Sequence, residues 1–201
     1  RVTCNNCHLY GGNTLGGKNS GIPLVGVTSV YPKFSNRENK MIDLADRINN
    51  CFERSLNGRA LPKDSAEMEG LLDYLLWISC EVASIKNLPW LGIDAVESDH
   101  TPDKVQGEVV YKRSCSICHG PDGNGSSTVP PLWGPDSFND GAGLCGIELF
   151  AGFVYANMPY HQPTLTPDEA LDVAAYVTTQ MRPIFKKKNP QPARTENDSA
   201  K

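Results

Sequence analysis

Two copies of the motif Cys-x-x-Cys-His constrain this 201-residue chain more than any other feature of its sequence. The first copy is CNNCH at residues 4–8, and the second is CSICH at residues 115–119. This motif attaches c-type haem through its two thiols, and the adjacent histidine ligates the iron. A zinc site would need four ligands in a closed geometry, and a redox dithiol would need a βαβ context that is missing here. We therefore expect two covalently attached haem c groups, bound at Cys4, Cys7, His8, Cys115, Cys118 and His119.

Helical patterns on both sides of the second motif indicate a small cytochrome c domain. The segment 104–114 before the motif has helical spacing and carries Gly107 on one face. The late segment TPDEALDVAAYVTTQM has Thr166 as its N-cap, Pro167 at the first helical position and Glu169 closing a capping box. An N-terminal helix with a glycine that crosses a C-terminal helix with an aromatic residue is typical of such a domain.

The first half of the chain has helical patterns of its own. One runs through ENKMIDLADRINNCFERSLNG, with an apolar stripe that starts at Met41 and a stop signal at Asn57-Gly58. The next starts in DSAEMEGLLDYLLWIS, where Asp64 and Glu67 are able to form a capping box. These patterns predict an all-α fold with two cytochrome c-like domains, each carrying one covalently bound haem c.

Turn-rich and polar segments divide the chain further. We expect a first cytochrome c-like domain at 1–90, a linker at 91–103 in which His100 is exposed, a second cytochrome c domain at 104–185, and a polar, flexible tail at 186–201. The first motif follows Arg1 so closely that we also expect further sequence upstream, or a partner that packs there.

Charge and hydropathy limit the possible partners. The formal net charge of −4 gives no reason to expect nucleic acid as a partner. No apolar run approaches the roughly 18 residues of a membrane-spanning helix. Haem attachment of this type takes place outside the cytoplasm, so we expect an exported, periplasmic protein whose signal peptide is absent from this chain.

The second axial ligand of each iron sets its redox potential. For the second haem we expect Met158, which lies directly before a proline on the loop that leads to the last helix, because a thioether raises the potential. Met181 is a competitor, but it stands at a helix end. The first half has no methionine in a comparable loop, and it offers Cys51 on the apolar stripe of a helix.

Two arginines lie close to Cys51 in the sequence. Arg47 precedes it by one helical turn, and Arg54 follows it by nearly one turn. Cations favour the thiolate, which is the form that binds iron or attacks sulfur. A helical cysteine can equally be a buried apolar residue, so the residues alone leave Cys51 open between these two roles.

Five segments, taken in order, closely resemble the dihaem thiosulfate dehydrogenases, also called tetrathionate reductases. They are NNCHLYGG, DRINNCFERSLNGRALP, YKRSCSICHGPDGNG, PPLWGPDSFNDGAG and NMP. The resemblance covers nearly the whole chain, and the RINNCFERS stretch is far more particular than a haem motif. It implies that His8 and Cys51 are the axial ligands of a catalytic haem in the first domain. It also implies that His119 and Met158 are those of an electron-transfer haem in the second.

The same resemblance implies a substrate and a reaction. Arg47 and, less securely, Arg37 would hold the anionic substrate, and Ser55 would contact it. Guanidinium groups suit this task, because two thiosulfate dianions must come together. Cys51 would form a sulfur–sulfur bond with one thiosulfate, and a second thiosulfate would attack it, as in thiol–disulfide exchange, to release tetrathionate. The reverse reaction would reduce tetrathionate, and a small electron-carrier cytochrome or similar redox protein would be the electron partner.

Two other functions stay open at this stage. A plain electron-carrier dihaem cytochrome would use Cys51 only as a ligand or a core residue. A haem subunit that joins thiosulfate to a carrier-protein thiol, as in the sulfur-oxidising multienzyme system, would also use a cysteine ligand. The RINNCFERS stretch favours the thiosulfate dehydrogenases over both.

Two cysteines fall outside the motifs and the resemblance. Members often have Gly-Ala-Gly-Met where this chain has GAGLC, so Leu144 replaces a possible ligand and Cys145 adds a thiol. Cys80 follows the WIS helix. In an oxidising compartment Cys80 and Cys145 could pair and join the two domains, and two separate buried thiols are the alternative.

Overall fold

The computed structural model describes residues 1–82 and 87–191 of the chain. The α-helices within these ranges are α1 (Leu44–Asn50), α2 (Ala66–Ser79), α3 (Lys104–Ser114), α4 (Ser116–His119), α5 (Ile147–Asn157) and α6 (Pro167–Thr178). A π-helix, Cys51–Ser55, directly continues α1. Short 3-10 turns lie at Cys4–Asn6, Leu9–Gly12, Val27–Val30, Cys80–Val82 and Gly143–Cys145.

One small sheet accompanies the helices in the described part of the chain. Strands β1 (Lys33–Ser35) and β2 (Lys40–Ile42) form an antiparallel hairpin in which Phe34 faces Met41. The prediction of an all-α fold is confirmed, with this hairpin as the addition. None of the helices in the described ranges combines the length and apolarity needed to cross a membrane.

Helices α3 and α6 cross at Gly107, as the sequence predicted. A Cβ atom at Gly107 would overlap the backbone oxygen of Asp172, so the two helices can approach this closely only at a glycine. The rings of Tyr111, Trp133 and Tyr176 pack beside the crossing, with centroids 5.0 to 5.9 Å apart. This crossing and α5 enclose one continuous buried core in the second domain.

Local caps decide where the helices begin. The Thr166 capping box and Pro167 at the start of α6 are confirmed. The predicted cap at Asp64 is wrong, because Ser65 is the N-cap of α2 and its hydroxyl accepts from the backbone of Met68.

The predicted start of the preceding helix near Met41 is also wrong. The side chain of Asp43 accepts from the Asp46 backbone N–H at 2.7 Å, so α1 begins only at Leu44. Met41 therefore lies in β2, where its side chain is exposed.

The first domain has a less continuous core than the second. Its buried apolar residues fall into two small clusters, one around Val25, Leu75 and Ile78 and the other around Ala45, Leu61 and Met68. Both clusters pack against α2, which is the longest helix of this domain. Most of the remaining chain here runs through 3-10 turns and loops, so open volume remains between α1, α2 and the first motif.

Asn139 links the second domain to the end of the π-helix. It is fully buried, its backbone N–H donates to the Arg54 carbonyl at 3.1 Å, and its side-chain amide donates to the Glu53 carbonyl at 2.8 Å. The same amide lies 3.2 Å from the Asn57 side-chain oxygen. The carbonyl groups at the end of the π-helix are therefore satisfied by the other domain.

The start of the predicted tail also lies against the first domain. The Lys188 ammonium donates to the Asn57 carbonyl at 2.7 Å, and the Gln191 backbone N–H donates to the Ala60 carbonyl at 2.8 Å. The rest of the predicted tail, 192–201, lies outside the described residues.

The two extra cysteines do not form a disulfide. Neither Cys80 nor Cys145 is paired in a disulfide, and Cys80 is exposed at the end of α2. Cys145 is half-buried, and its thiol donates to the Asn139 carbonyl at 3.2 Å. Of the two possibilities that the sequence left open, the structure shows separate thiols, but the expectation that both are buried is wrong for Cys80.

Candidate haem and sulfur site

A cavity of about 560 Å³ opens beside the first Cys-x-x-Cys-His motif. Its lining brings together Cys4 and His8 from the motif with Arg47 and Cys51 from the α1 segment. The walls are largely apolar and include Leu24, Val27, Leu44, Ile48, Leu71 and Leu75. Cavities that bind organic cofactors and ligands have volumes of about 300 to 1,000 Å³ and walls of this kind.

The imidazole of His8 is oriented by the backbone. Its Nδ1 lies 2.8 Å from the Ile22 carbonyl oxygen. A carbonyl only accepts, so Nδ1 carries the proton and Nε2 keeps its lone pair. Burial lowers the pKa of His8, which favours the neutral ring. Metal-ligating histidines are oriented in the same way by a carbonyl on the second ring nitrogen.

The second motif repeats this arrangement. The Nδ1 of His119 lies 2.9 Å from the Pro130 carbonyl oxygen, and burial lowers the pKa of this histidine too. In each motif the backbone N–H of the histidine donates to the backbone carbonyl of the first cysteine, at 2.8 Å for His8 and 2.9 Å for His119. The two motifs therefore share one local fold and offer the same nitrogen to a metal.

The cysteines of the motifs fit thioether attachment better than zinc binding. Burial raises the pKa of Cys7 to about 12 and that of Cys115 to about 11. Zinc is bound by thiolates, usually in sets of four ligands. Across 1–82 and 87–191, no group of three or more His, Cys, Asp or Glu side chains is placed to hold a metal ion. The donors present thus suit haem c.

Met158 and Met181 differ in burial. Met158 ends α5 and packs against the core of the second domain together with Cys115 and Trp133. The side chain of Met181 is 89% exposed, which does not suit an axial ligand inside a haem pocket. Burial therefore favours Met158.

Arg47 and Cys51 are in direct contact at the cavity. The Arg47 Nη1 donates to the Cys51 Sγ at 2.8 Å. The i, i+4 spacing of the two residues places them on one face of the helical segment. Cys51 begins the π-helix, a type of segment that frequently occurs at functional sites.

Arg54, the other arginine near Cys51 in sequence, has a different role. Its Nη2 pairs with the Glu38 carboxylate at 2.9 Å, and its guanidinium lies 4.0 Å from the centroid of the Phe185 ring. It thus connects the hairpin region to the second domain, and Arg47 is the arginine that contacts the thiol.

Two residues predicted to contact substrate are not brought to the cavity. Arg37 is exposed and donates from Nη1 to the Gly141 carbonyl at 3.0 Å, in the second domain. Ser55 stands at the end of the π-helix, one turn beyond Cys51, and does not line the cavity.

Two residues that sequence reasoning missed do line the cavity. Tyr31 precedes the hairpin, Lys33 begins it, and the Tyr31 hydroxyl lies beside the Arg47 guanidinium. No periodic pattern marks either residue. The only sequence signal for them is the Tyr-Pro-Lys turn before β1, which becomes informative once the hairpin is known.

Both halves of the chain match known protein families. Residues 1–82 match the SoxA/TsdA cytochrome c domain family, and residues 102–177 match cytochrome c oxidase, cbb3-type, subunit III. The thiosulfate dehydrogenase of Allochromatium vinosum is 39% identical over 191 residues, which cover 92% of this chain and 71% of that protein. The chain belongs to the thiosulfate dehydrogenase family. The predicted pair of cytochrome c-like domains is confirmed, and such domains carry haem c.

Other members of the thiosulfate dehydrogenase family extend the comparison. The enzyme of Thiomonas intermedia is 36% identical over 90% of this chain and 59% of its own length. The solved structure of thiosulfate dehydrogenase TsdBA from Marichromatium purpuratum, in its "as isolated" form, superposes with a TM-score of 0.78 at 30% identity. That match covers 88% of this chain and 40% of the TsdBA chain. The chain thus spans less than two thirds of these two relatives.

Proposed function

We propose that this protein interconverts thiosulfate and tetrathionate at Cys51, as an exported dihaem enzyme of the periplasm. One observation carries the proposal: a cation and a thiol, Arg47 and Cys51, are in contact at 2.8 Å inside a cavity that also holds His8. The names of the relatives that cover most of the chain support oxidation of thiosulfate as the reaction.

The residues present would hold two haem c groups. Cys4 and Cys7, with His8 as the axial ligand, would bind the first, and the corresponding residues Cys115, Cys118 and His119 would bind the second. Cys51 and Met158 would supply a second ligand to the first and the second haem, respectively. When bound, the haems supply one-electron acceptors at potentials that their axial ligands tune.

Arg47 has the donors to hold both the thiol and an anion. A guanidinium carries five N–H donors in a planar fork, and the contacts to Cys51 and Tyr31 leave donors free. These can bind the sulfonate oxygens of thiosulfate, and the positive charge offsets repulsion between the dianion and the Cys51 thiolate. Arg47 would thus place the outer sulfur of thiosulfate beside Cys51.

The chemistry balances without a proton transfer. The Cys51 thiolate and the outer sulfur of the first thiosulfate form a sulfur–sulfur bond, and two electrons leave. The outer sulfur of a second thiosulfate then attacks the sulfur bound to Cys51. This forms the central bond of tetrathionate, and the bond to Cys51 breaks with its electron pair, which restores the thiolate.

Replacement of Cys51 by glycine tests the proposal. The C51G protein, with both haems confirmed by mass, should lose thiosulfate-dependent reduction of an artificial electron acceptor by roughly a thousand-fold or more, as expected when a nucleophile is removed. The matched control is C80S, which removes an exposed thiol outside the cavity. Full turnover by C51G would overturn the catalytic role and leave an electron carrier. Activity that depends on an added carrier-protein thiol would indicate the conjugating enzyme instead.

A further inference from the structure

Lys33 gives the cavity a second positive charge. Of the described residues that line the cavity, Lys33 is the one lysine, Arg47 is the one arginine, and none is Asp or Glu. The lining therefore carries cations without compensating carboxylates. Such a lining favours anions, and a cavity with low-dielectric walls strengthens this preference.

A chain of contacts connects Lys33 to the reactive thiol. The Lys33 Nζ lies 5.6 Å from the centroid of the Tyr31 ring, and the Tyr31 hydroxyl lies beside the Arg47 guanidinium. Arg47 in turn donates to the Cys51 Sγ at 2.8 Å. Lys33 and Tyr31 thus lie on the side of the cavity where Cys51 presents its sulfur.

A hydrogen bond between the adjacent side chains of Arg47 and Tyr31 can have only one direction. A guanidinium has no acceptor, so Arg47 donates and the Tyr31 oxygen accepts. The Tyr31 O–H proton therefore remains available for another acceptor. A sulfonate oxygen that lies between Tyr31 and Lys33 would accept from the hydroxyl and pair with the ammonium.

We propose that Lys33 and Tyr31 form the subsite that holds the second thiosulfate. This inference rests on the proposed function, in which a thiosulfate dianion approaches the negatively charged adduct on Cys51 and the single charge of Arg47 faces both. Lys33 would bind the sulfonate of the attacking thiosulfate, and Tyr31 would orient it through its hydroxyl. Arg37, which donates to Gly141 outside the cavity, takes no part in this subsite.

Kinetics of a K33M holoprotein test the subsite. We expect the KM for thiosulfate to rise about ten-fold, which corresponds to the loss of one charge-assisted contact, with a much smaller change in kcat. The dependence of kcat/KM on ionic strength should also weaken. K40M is the matched control, because Lys40 lies on the other strand of the same hairpin, is exposed and does not line the cavity. An unchanged KM in K33M, or a larger rise in R37M than in K33M, would overturn the proposal.

Sulfate binding gives a second measurement that does not depend on turnover. Sulfate is a dianion that does not react, and calorimetric titration of the oxidised holoprotein measures its affinity. K33M should weaken sulfate binding about ten-fold, and Y31F, which removes only the hydroxyl, about three-fold, while the visible spectrum stays unchanged. If K33M instead shifts the haem spectrum and leaves sulfate binding intact, Lys33 pairs with a haem propionate and the proposal is wrong. The wild type could also bind sulfate without oxidising thiosulfate, while K33M loses sulfate binding. That result would refute the proposed function and leave Lys33 as part of an anion subsite.

Discussion

The two cytochrome c-like domains present the same motif in different surroundings. In the second domain, α3 and α6 cross at a glycine, and a continuous core of buried residues packs around them. In the first domain, the core is divided into two small clusters, and the motif borders a cavity with an arginine and a thiol in contact. Under the proposed function, this difference fits the two roles: a site that only transfers electrons can be tightly packed, whereas a site that binds substrate needs space, charge and a reactive group.

The helix crossing of the second domain should be the most sensitive point. A G107A substitution would place a Cβ against the Asp172 backbone, which neither helix can relieve without moving. We expect a loss of about 3 kcal/mol in the free energy of unfolding. Denaturant titration followed by CD and by the haem absorbance of the second domain measures it. G70A is the control, since a Cβ at Gly70 in α2 meets nothing and should change stability by no more than about 1 kcal/mol. Equal stability of G107A and G70A would contradict the crossing.

Loss of packing in the first domain should lower the free energy of unfolding by less than G107A does. Met68 is fully buried beside Ala45 and Leu61, and M68A would leave a cavity in this small cluster. We expect a destabilisation of about 2 kcal/mol, at the low end for such a substitution because a small core collapses more easily. The exposed Met41 supplies the control, and M41A should stay within about 0.5 kcal/mol of wild type. A larger effect for M41A than for M68A would argue against this assignment of the core.

Removal of a hydrogen bond between the domains should lower the free energy of unfolding by less than either substitution above. N139A removes the amide that donates to the Glu53 carbonyl and so leaves a buried acceptor without its partner. We expect a loss of about 1.5 kcal/mol and unfolding transitions of the two domains that move apart. Differential scanning calorimetry measures both effects. The control is D136N at an exposed position on the same loop, and coincident transitions in N139A would show that the contact does not couple the domains.

Local signals explain what the sequence could predict of the fold. The start of α6 was predicted correctly because its cap, its proline and its acidic partner lie within four residues of one another. The starts near Met41 and Asp64 were wrong because competing caps stood close by, at Asp43 and Ser65. Apolar periodicity does not choose between neighbouring caps, so helix boundaries are less predictable than helices.

The candidate site was predictable only where its residues share one short segment. Arg47 and Cys51 lie one helical turn apart, so their contact follows once the segment is helical. Lys33 and Tyr31 reach the cavity because of the position of the hairpin relative to α1, which depends on long-range packing. The same packing directs Arg37 to the second domain, which no pattern along the sequence could show.

The smallest effect on stability concerns a charge pair between His100 of the predicted linker and Asp172 of α6. His100, predicted to be exposed, lies with its Nε2 2.6 Å from the Asp172 carboxylate, and this hydrogen bond raises the pKa of the histidine. Asp168 and Asp103 act in the same direction. The protonated ring is favoured in the folded state, so its contribution is fully present below the unfolded pKa of about 6.5 and is lost as the pH rises through the folded pKa. The stability difference between wild type and H100Q, measured by thermal unfolding from pH 5.5 to 8.5, should therefore be largest at low pH and should shrink in high salt. A difference that grows with pH would mean that the neutral ring is the form stabilised by the fold.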